Sequence, residues 1–180
     1  MYHLEVFVEV RLNEKYMLED AEKLFKDGIS ADAAKAFLLL LFKMRAKGVD
    51  IVISEVSAHA IYLKKLAGDQ ADIAVLTNIS QDHLDFFKDY QHYEQVKLGY
   101  FNEENVKKAI VNIDDVAGKR LSSCLEKTGV EVVTFGLNNP ADCFAIDVYE
   151  GIDGIHFVAN LCDDLVDIRS SLYGEFNVYN

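Results

Sequence analysis

A chain of 180 residues with a net charge of −12 presents the wrong surface sign for a polyanion, so neither nucleic acid nor an anionic membrane is expected as a partner. Its 51% hydrophobic content is enough to bury the core of one ordinary domain. Cys124, Cys143 and Cys162 are odd in number and lack Cys-x-x-Cys spacing, which reads as free thiols in a reducing cytoplasm rather than a zinc cluster or disulfide framework. No hydrophobic run is long enough to span a bilayer, and the N-terminus lacks a signal-peptide layout, so a cytoplasmic location is expected.

Leu4–Leu12 alternates apolar and polar residues, the pattern of a half-buried strand. Met17–Lys26 is charged and amphipathic, with Gly28 placed to cap it, and Ala31–Lys47 reads as a longer helix ending at Gly48. Asp50–Ser54 is a continuous apolar run, as expected of a parallel strand covered on both faces. A short helix follows from Ser57 to about Leu66, then a buried strand at Asp72–Leu76 and a helix at Tyr90–Phe101. Lys108–Ile113, Val116–Thr128 and Val130–Phe135 continue as strand, helix and strand. This alternation predicts an α/β fold, a doubly wound, mostly parallel sheet with right-handed crossovers. Ala145–Tyr149, Gly154–Ala159 and Leu165–Ser170 lack intervening helices and predict a small antiparallel C-terminal sheet.

The chemistry gathers at the ends of the strands. Thr77-Asn-Ile-Ser-Gln-Asp-His-Leu-Asp leaves a buried strand and carries Asp82, His83 and Asp85 into a loop, where open α/β sheets place ligands. Glu55 ends the preceding strand. If those strands are neighbours, Glu55 and His83 converge, and with phosphate oxygens they would suit Mg²⁺ or Mn²⁺. Glu55 also reads as a first-turn carboxylate stabilised by a helix dipole. Asp82 and Asp85 read equally as partners orienting His83 or as caps of a turn. His59 reads as a capping or packing histidine rather than a ligand, and Asp114-Asp115 as a helix cap followed by an N-terminal acid. Lys97, on an amphipathic helix, reads from first principles as a solvated surface residue. No Gly-x-x-x-x-Gly-Lys-Ser/Thr cradle occurs, and Gly118-Lys119-Arg120 is only a distant approximation to one.

Five segments nevertheless occur in register: Glu55-Val-Ser-Ala-His-Ala, Thr77-Asn-Ile-Ser-Gln-Asp-His-Leu-Asp-Phe, Tyr93-Glu-Gln-Val-Lys, Val111-Asn-Ile-Asp-Asp and Gly174-Glu-Phe-Asn-Val-Tyr-Asn. Together they resemble the Mur ligase family of peptidoglycan synthesis, in its tripeptide-synthetase (MurE-type) branch. The resemblance implies a central ATPase domain and a ligation in which ATP activates a carboxylate of a UDP-muramoyl-peptide as an acyl phosphate. An amino acid's amine then displaces the phosphate, with Mg²⁺ stabilising the charge. By resemblance Glu55 and His83 are metal residues and Lys97 is the lysine carbamylated by CO₂. On the same basis Ser57 and Lys65 contact the muramoyl substrate, Lys65 standing where arginine is typical, and Asn177 and Asn180 bind the nucleotide.

Against that pattern, residues 1–30 read as a divergent strand–helix segment without the phosphate loop, and 31–180 as a partial central domain. The expected function is therefore a ligase fragment inactive alone. The alternatives are a non-catalytic module or remnant lacking ATP binding, and, more distantly, a metal-dependent hydrolase built on Glu55, Asp82 and His83.

Overall fold

A computed structural model describes residues 6–12, 32–80 and 86–179. The strands are β1 (Val6–Arg11), β2 (Ile51–Glu55), β3 (Ala71–Leu76), β4 (Val106–Asn112), β5 (Glu131–Gly136), β6 (Cys143–Gly151), β7 (Gly154–Leu161) and β8 (Asp164–Ser170). The helices are α1 (Asp32–Ala46), α2 (Ala58–Tyr62), α3 (Tyr90–Gly99) and α4 (Val116–Leu125), with a 3₁₀ turn at Glu175–Val178. The helix expected over Met17–Lys26 lies outside the described residues.

Among the described residues the strands form one sheet in the order β2-β1-β3-β4-β5-β6-β7-β8. The run β3-β4-β5 is parallel and interleaved with α3 and α4, as the alternation predicts. The antiparallel strands β6–β8 continue this sheet through a short parallel pairing at Phe135–Cys143 and Gly136–Phe144.

Two local expectations are corrected. The first concerns β2 and β3, which are not neighbours as the convergence of Glu55 and His83 supposes: β1, which the pattern marks only as a half-buried strand, lies between them and runs antiparallel to both. Its alternation is as expected, with Val6, Val8 and Val10 buried, but alternation does not encode strand direction. The second concerns β2, which is an edge strand rather than one covered on both faces. Among the described residues β1 is its one strand neighbour, and Ile51 is 52% and Ile53 71% exposed, on the face they share with Glu9 and Arg11 of β1.

Helix α1 begins with Asp32 and carries Lys43 and Arg45 in its last turn, complementing the helix dipole. Ala34, Leu38, Leu41 and Phe42 fall at helical spacing and are buried, Leu38, Leu41 and Phe42 clustering with Val10 and Leu12. The chain then leaves the helix through Gly48 at φ +84°. The larger cluster joins Val6 and Val8 to Ala74 and Leu76 of β3, Ala109 and Val111 of β4, and Ala117 and Leu121 of α4. On the other side of β3–β5, Val75, Ile110, Val133 and Phe135 are half-buried and line an apolar cavity of about 340 Å³ with Phe157 and Tyr179.

Gly118, the nearest approach to a phosphate-loop glycine in the sequence, has a packing role. A Cβ there would sit 1.9 Å from the Asn112 carbonyl oxygen and 3.4 Å from the Val111 side chain. Alanine would gain about 1 kcal/mol of helix propensity, but forcing backbone apart in a packed core costs about 1–3 kcal/mol. Gly118→Ala is therefore expected to be destabilised by up to about 2 kcal/mol in urea unfolding. An unchanged midpoint would contradict this close packing.

Candidate functional site

Because β2 and β3 both run antiparallel to β1, they point the same way, and their carboxyl ends share one sheet edge with those of β4 and β5. Glu55, Thr77, Asn112 and Gly136 mark that edge. β1 contributes its amino end there, since Val56 N–H donates to the Val6 carbonyl at 2.8 Å. Its carboxyl end lies at the opposite edge, where Arg11 N–H donates to Asp72 Oδ2 at 2.6 Å and Leu12 N–H to the Asp50 carbonyl at 2.7 Å.

Glu55 is exposed at the end of β2, opposite Phe7 in the ladder. Ser57, two residues on, is the N-cap of α2, its Oγ accepting from Ala60 N–H at 3.2 Å. Lys65 is exposed in the turn beyond α2. His59 packs as expected: its ring lies 4.2 Å from Phe86 and 5.3 Å from Phe87. Phe87 continues the stack to His92 and to Tyr93 at 5.6 and 5.4 Å, in edge-to-face arrangements. This chain of rings joins α2 to α3. Asp82, His83, Asp85 and Asn180 lie outside the described residues.

Lys97 is fully buried, contrary to the surface reading of an amphipathic helix. Its ammonium lies 5.2 Å from the centre of the Tyr93 ring. Burial lowers its pKa from 10.5 to about 7, so near neutrality part of the population is a neutral amine. The neighbouring Glu94 accepts from Arg120 of α4 at 2.5 Å, fastening α3 to α4.

At the ends of β3 and β4, buried Asn112 donates through Nδ2 to the Thr77 carbonyl at 2.8 Å and accepts from Asp114 N–H at 2.9 Å. The two acids beyond have separate roles. Asp115 caps α4 by accepting from Ala117 and Gly118 N–H at 2.9 and 3.0 Å. Asp114 instead accepts from Leu137 N–H at 2.5 Å, Asn138 N–H at 2.9 Å, the Tyr179 hydroxyl at 2.9 Å and the Asn139 amide. Burial by itself would raise this carboxyl; the bonds from Asn139, Asn138, Leu137 and Tyr179 outweigh it and hold the pKa at about 2. The clamp, invisible to local patterning except as Asn138-Asn139 after a strand, brings the Glu175–Val178 turn to the β4 edge. Asn177 within that turn donates to the Tyr173 carbonyl at 2.6 Å.

The arrangement fits the implied groups in part. Exposed Glu55 is a suitable oxygen donor for a hard cation, but the described residues assemble no cluster of three or more metal-ligating side chains. Phosphate loops leave the carboxyl end of a strand for a helix N-terminus, and that end of β1 faces away from Glu55. The described residues therefore offer no nucleotide phosphate cradle beside Glu55. No helix among them is long and apolar enough to cross a membrane.

Two titrations test this geometry. The folded chain releases the Lys97 proton near pH 7 while the unfolded chain holds it to about 10.5, so stability should rise with pH across that interval. Lys97→Met removes the titrating group and should flatten that slope. Denaturant unfolding of both proteins in CO₂-free buffer at about pH 6 and about pH 9 reads the difference; parallel pH profiles would contradict it. For Asp114, stability present above the ordinary carboxylate range is lost as pH falls toward about 2. Tyr179→Phe removes one donor and should move that loss to higher pH, with a raised Asp114 carboxyl titration in ¹³C NMR.

Comparison with known proteins agrees with this architecture. The family described as the Mur ligase middle domain matches residues 14–180. A UDP-N-acetylmuramoyl-L-alanyl-D-glutamate–2,6-diaminopimelate ligase of Bacillus velezensis is 40% identical over 146 residues, which is 77% of this chain and 29% of that protein. A ligase of the same name from Caldanaerobacter subterraneus subsp. tengcongensis is 29% identical over 188 residues, covering 99% of this chain and 37% of its own length. A solved structure of such a ligase superposes with a TM-score of 0.72 at 26% identity, over 81% of this chain and 30% of that one. The chain thus spans about a third of the length of these relatives. It belongs to the Mur ligase family and comprises part of its middle domain.

Proposed function

We propose that this chain carries the metal-and-lysine side of the central domain of an ATP-dependent ligase acting on a UDP-muramoyl-peptide and an amino acid, and that it does not ligate by itself. The observation that carries this reading is Lys97. In the segment Tyr93-Glu-Gln-Val-Lys it is fully buried, and its pKa is near 7. A neutral, desolvated amine attacks the carbon of CO₂, forming an N–C bond and releasing one proton to solvent. The product is a carbamate, so a cation becomes an anion with two oxygens able to hold a hard cation.

Glu55 and His83 are the proposed metal residues, Ser57 and Lys65 the substrate contacts, and Asn177 and Asn180 the nucleotide contacts. Mg²⁺ and ATP, when bound, supply the electrophilic phosphoryl group and the charge that stabilises its transfer. The reversed direction of β1 supports inactivity of the isolated chain, because it takes the usual origin of a phosphate loop to the far edge of the sheet.

The chain equilibrated with ¹³C-bicarbonate should give a carbamate carbon resonance that is absent from Lys97→Ala. The unmodified chain with Mg-ATP, UDP-muramoyl-dipeptide and an amino acid should give no ligated product, and calorimetry should detect no Mg-ATP binding. A resonance retained in Lys97→Ala would remove the lysine from the proposal, and measurable ligation would overturn the claim of inactivity.

A further inference from the structure

Cys143 and Cys162 are 19 positions apart in sequence, yet their sulfurs lie 3.5 Å apart. The β6–β7 register pairs Cys143 with Leu161, and Cys162 is the next residue, in the two-residue turn between β7 and β8. A strand continued through Cys162 would carry its side chain to the face opposite Leu161 and Cys143. The chain does not continue as a strand. Cys162 has φ +53° and Asp163 φ +77°, the left-handed pair of a type I′ hairpin turn that Asn-Gly ordinarily supplies. A cysteine held in that conformation is strained, and here the turn coincides with its sulfur meeting Cys143.

Both sulfurs stand on fixed supports. Asp142, immediately before Cys143, accepts from the Thr134 N–H at 2.8 Å and its hydroxyl at 2.7 Å, and Asp142 N–H donates back to Thr134 Oγ1 at 3.0 Å. On the other side Asp163 N–H donates to Asn160 Oδ1 at 3.0 Å. The hairpin ladder between them extends to the Leu161–Asp164 pair. Cys162 is exposed and Cys143 half-buried, and both thiols are free.

We propose that Cys143 and Cys162 form a thiol-modification site that closes to a reversible disulfide by exchange with a small disulfide. The exposed Cys162 thiolate attacks one sulfur of that oxidant, breaking its S–S bond and releasing one small thiolate. Cys143, losing its proton to that thiolate, attacks Cys162 Sγ and displaces the second small thiol. The net change is one protein dithiol and one small disulfide to one protein disulfide and two small thiols. Burial, then the contact with Cys162, raises the Cys143 thiol above its ordinary value, which fits the resolving role rather than the first attack. Asp142 acts on Cys143 with its negative charge, and Asp163 and Asp164 follow Cys162 in sequence, which favours an uncharged oxidant over an anionic one.

The site is independent of the ligase reading. Cys143 and Leu161 line the apolar cavity beside Phe135 and Tyr179, so closing the pair would tie the turn after β7 to that cavity's wall.

The test treats the full chain with bis(2-hydroxyethyl) disulfide, then measures intact mass and maps linked peptides. The expected product has lost the two thiol hydrogens, links Cys143 to Cys162, retains Cys124 as a thiol, returns to the starting mass with dithiothreitol and melts at higher temperature than the reduced chain. Oxidised glutathione should give the same linkage more slowly. Cys162→Ser and Cys143→Ser, each checked for native circular dichroism, should give no intramolecular link, while Cys124→Ser should leave it intact. A stable mixed disulfide on Cys162 beside a free Cys143, linkage through Cys124, or no change in mass would overturn the proposal.

Discussion

The placement of β1 organises this molecule. One strand of six residues hydrogen-bonds on both sides, antiparallel each time, and so holds β2 and β3 in the same direction without their touching. Through it the carboxyl ends of β2 and β3 join those of β4 and β5 along one edge, where Glu55, Thr77, Asn112 and Asp114 lie. The same strand sends its own carboxyl end to the other edge, beside Asp72 and Asp50. The direction of β1 thus brings Glu55, Thr77 and Asn112 to one edge while keeping its own carboxyl end away from them.

Around that edge the protein uses two different means of holding position. On the β2–α3 side it is apolar: His59, Phe87 and Tyr93 form a continuous stack, with Phe87 and Tyr93 almost wholly buried. Lys97 sits beneath it as a desolvated amine, a placement that tunes its protonation at the expense of stability near neutral pH. On the β4–β5 side the support is polar. Asp114 collects donors from the loop after β5 and from Tyr179, so one ionised carboxylate fixes three segments of chain.

Much of this could be read from the residues, and the exceptions have identifiable physical causes. The periods of two and 3.6 located β3, β4, β5 and α1, and Gly48 stood where a helix cap requires a left-handed residue. Alternation at Val6, Val8 and Val10 revealed a strand but not its direction, since side-chain period is identical in parallel and antiparallel ladders. The apolar run at Ile51–Ile53 was read as an interior strand because hydrophobicity does not report how many neighbours a strand has. Lys97 was legible only through the family segment; on an amphipathic helix its burial depends on Tyr93 and on sheet packing that no local window contains. The pattern places the helix cap at Asp114 with an acid after it, but the cap is Asp115, one residue on, and Asp114 is bonded to residues 23–65 positions away. The 3.5 Å approach of Cys143 and Cys162 likewise depends on a turn that departs from the usual Asn-Gly code.

The exposed edge at β2 bears on colloidal behaviour. Ile51 and Ile53 stand beside one row of backbone groups with no strand partner among the described residues, a surface suited to strand-on-strand association. A net charge of −12 keeps copies apart, but only over the distance that ions allow. Raising ionic strength toward 1 M shortens that distance from about 10 Å to about 3 Å. Added salt is therefore expected to favour association of this chain, and dilute buffer separate molecules.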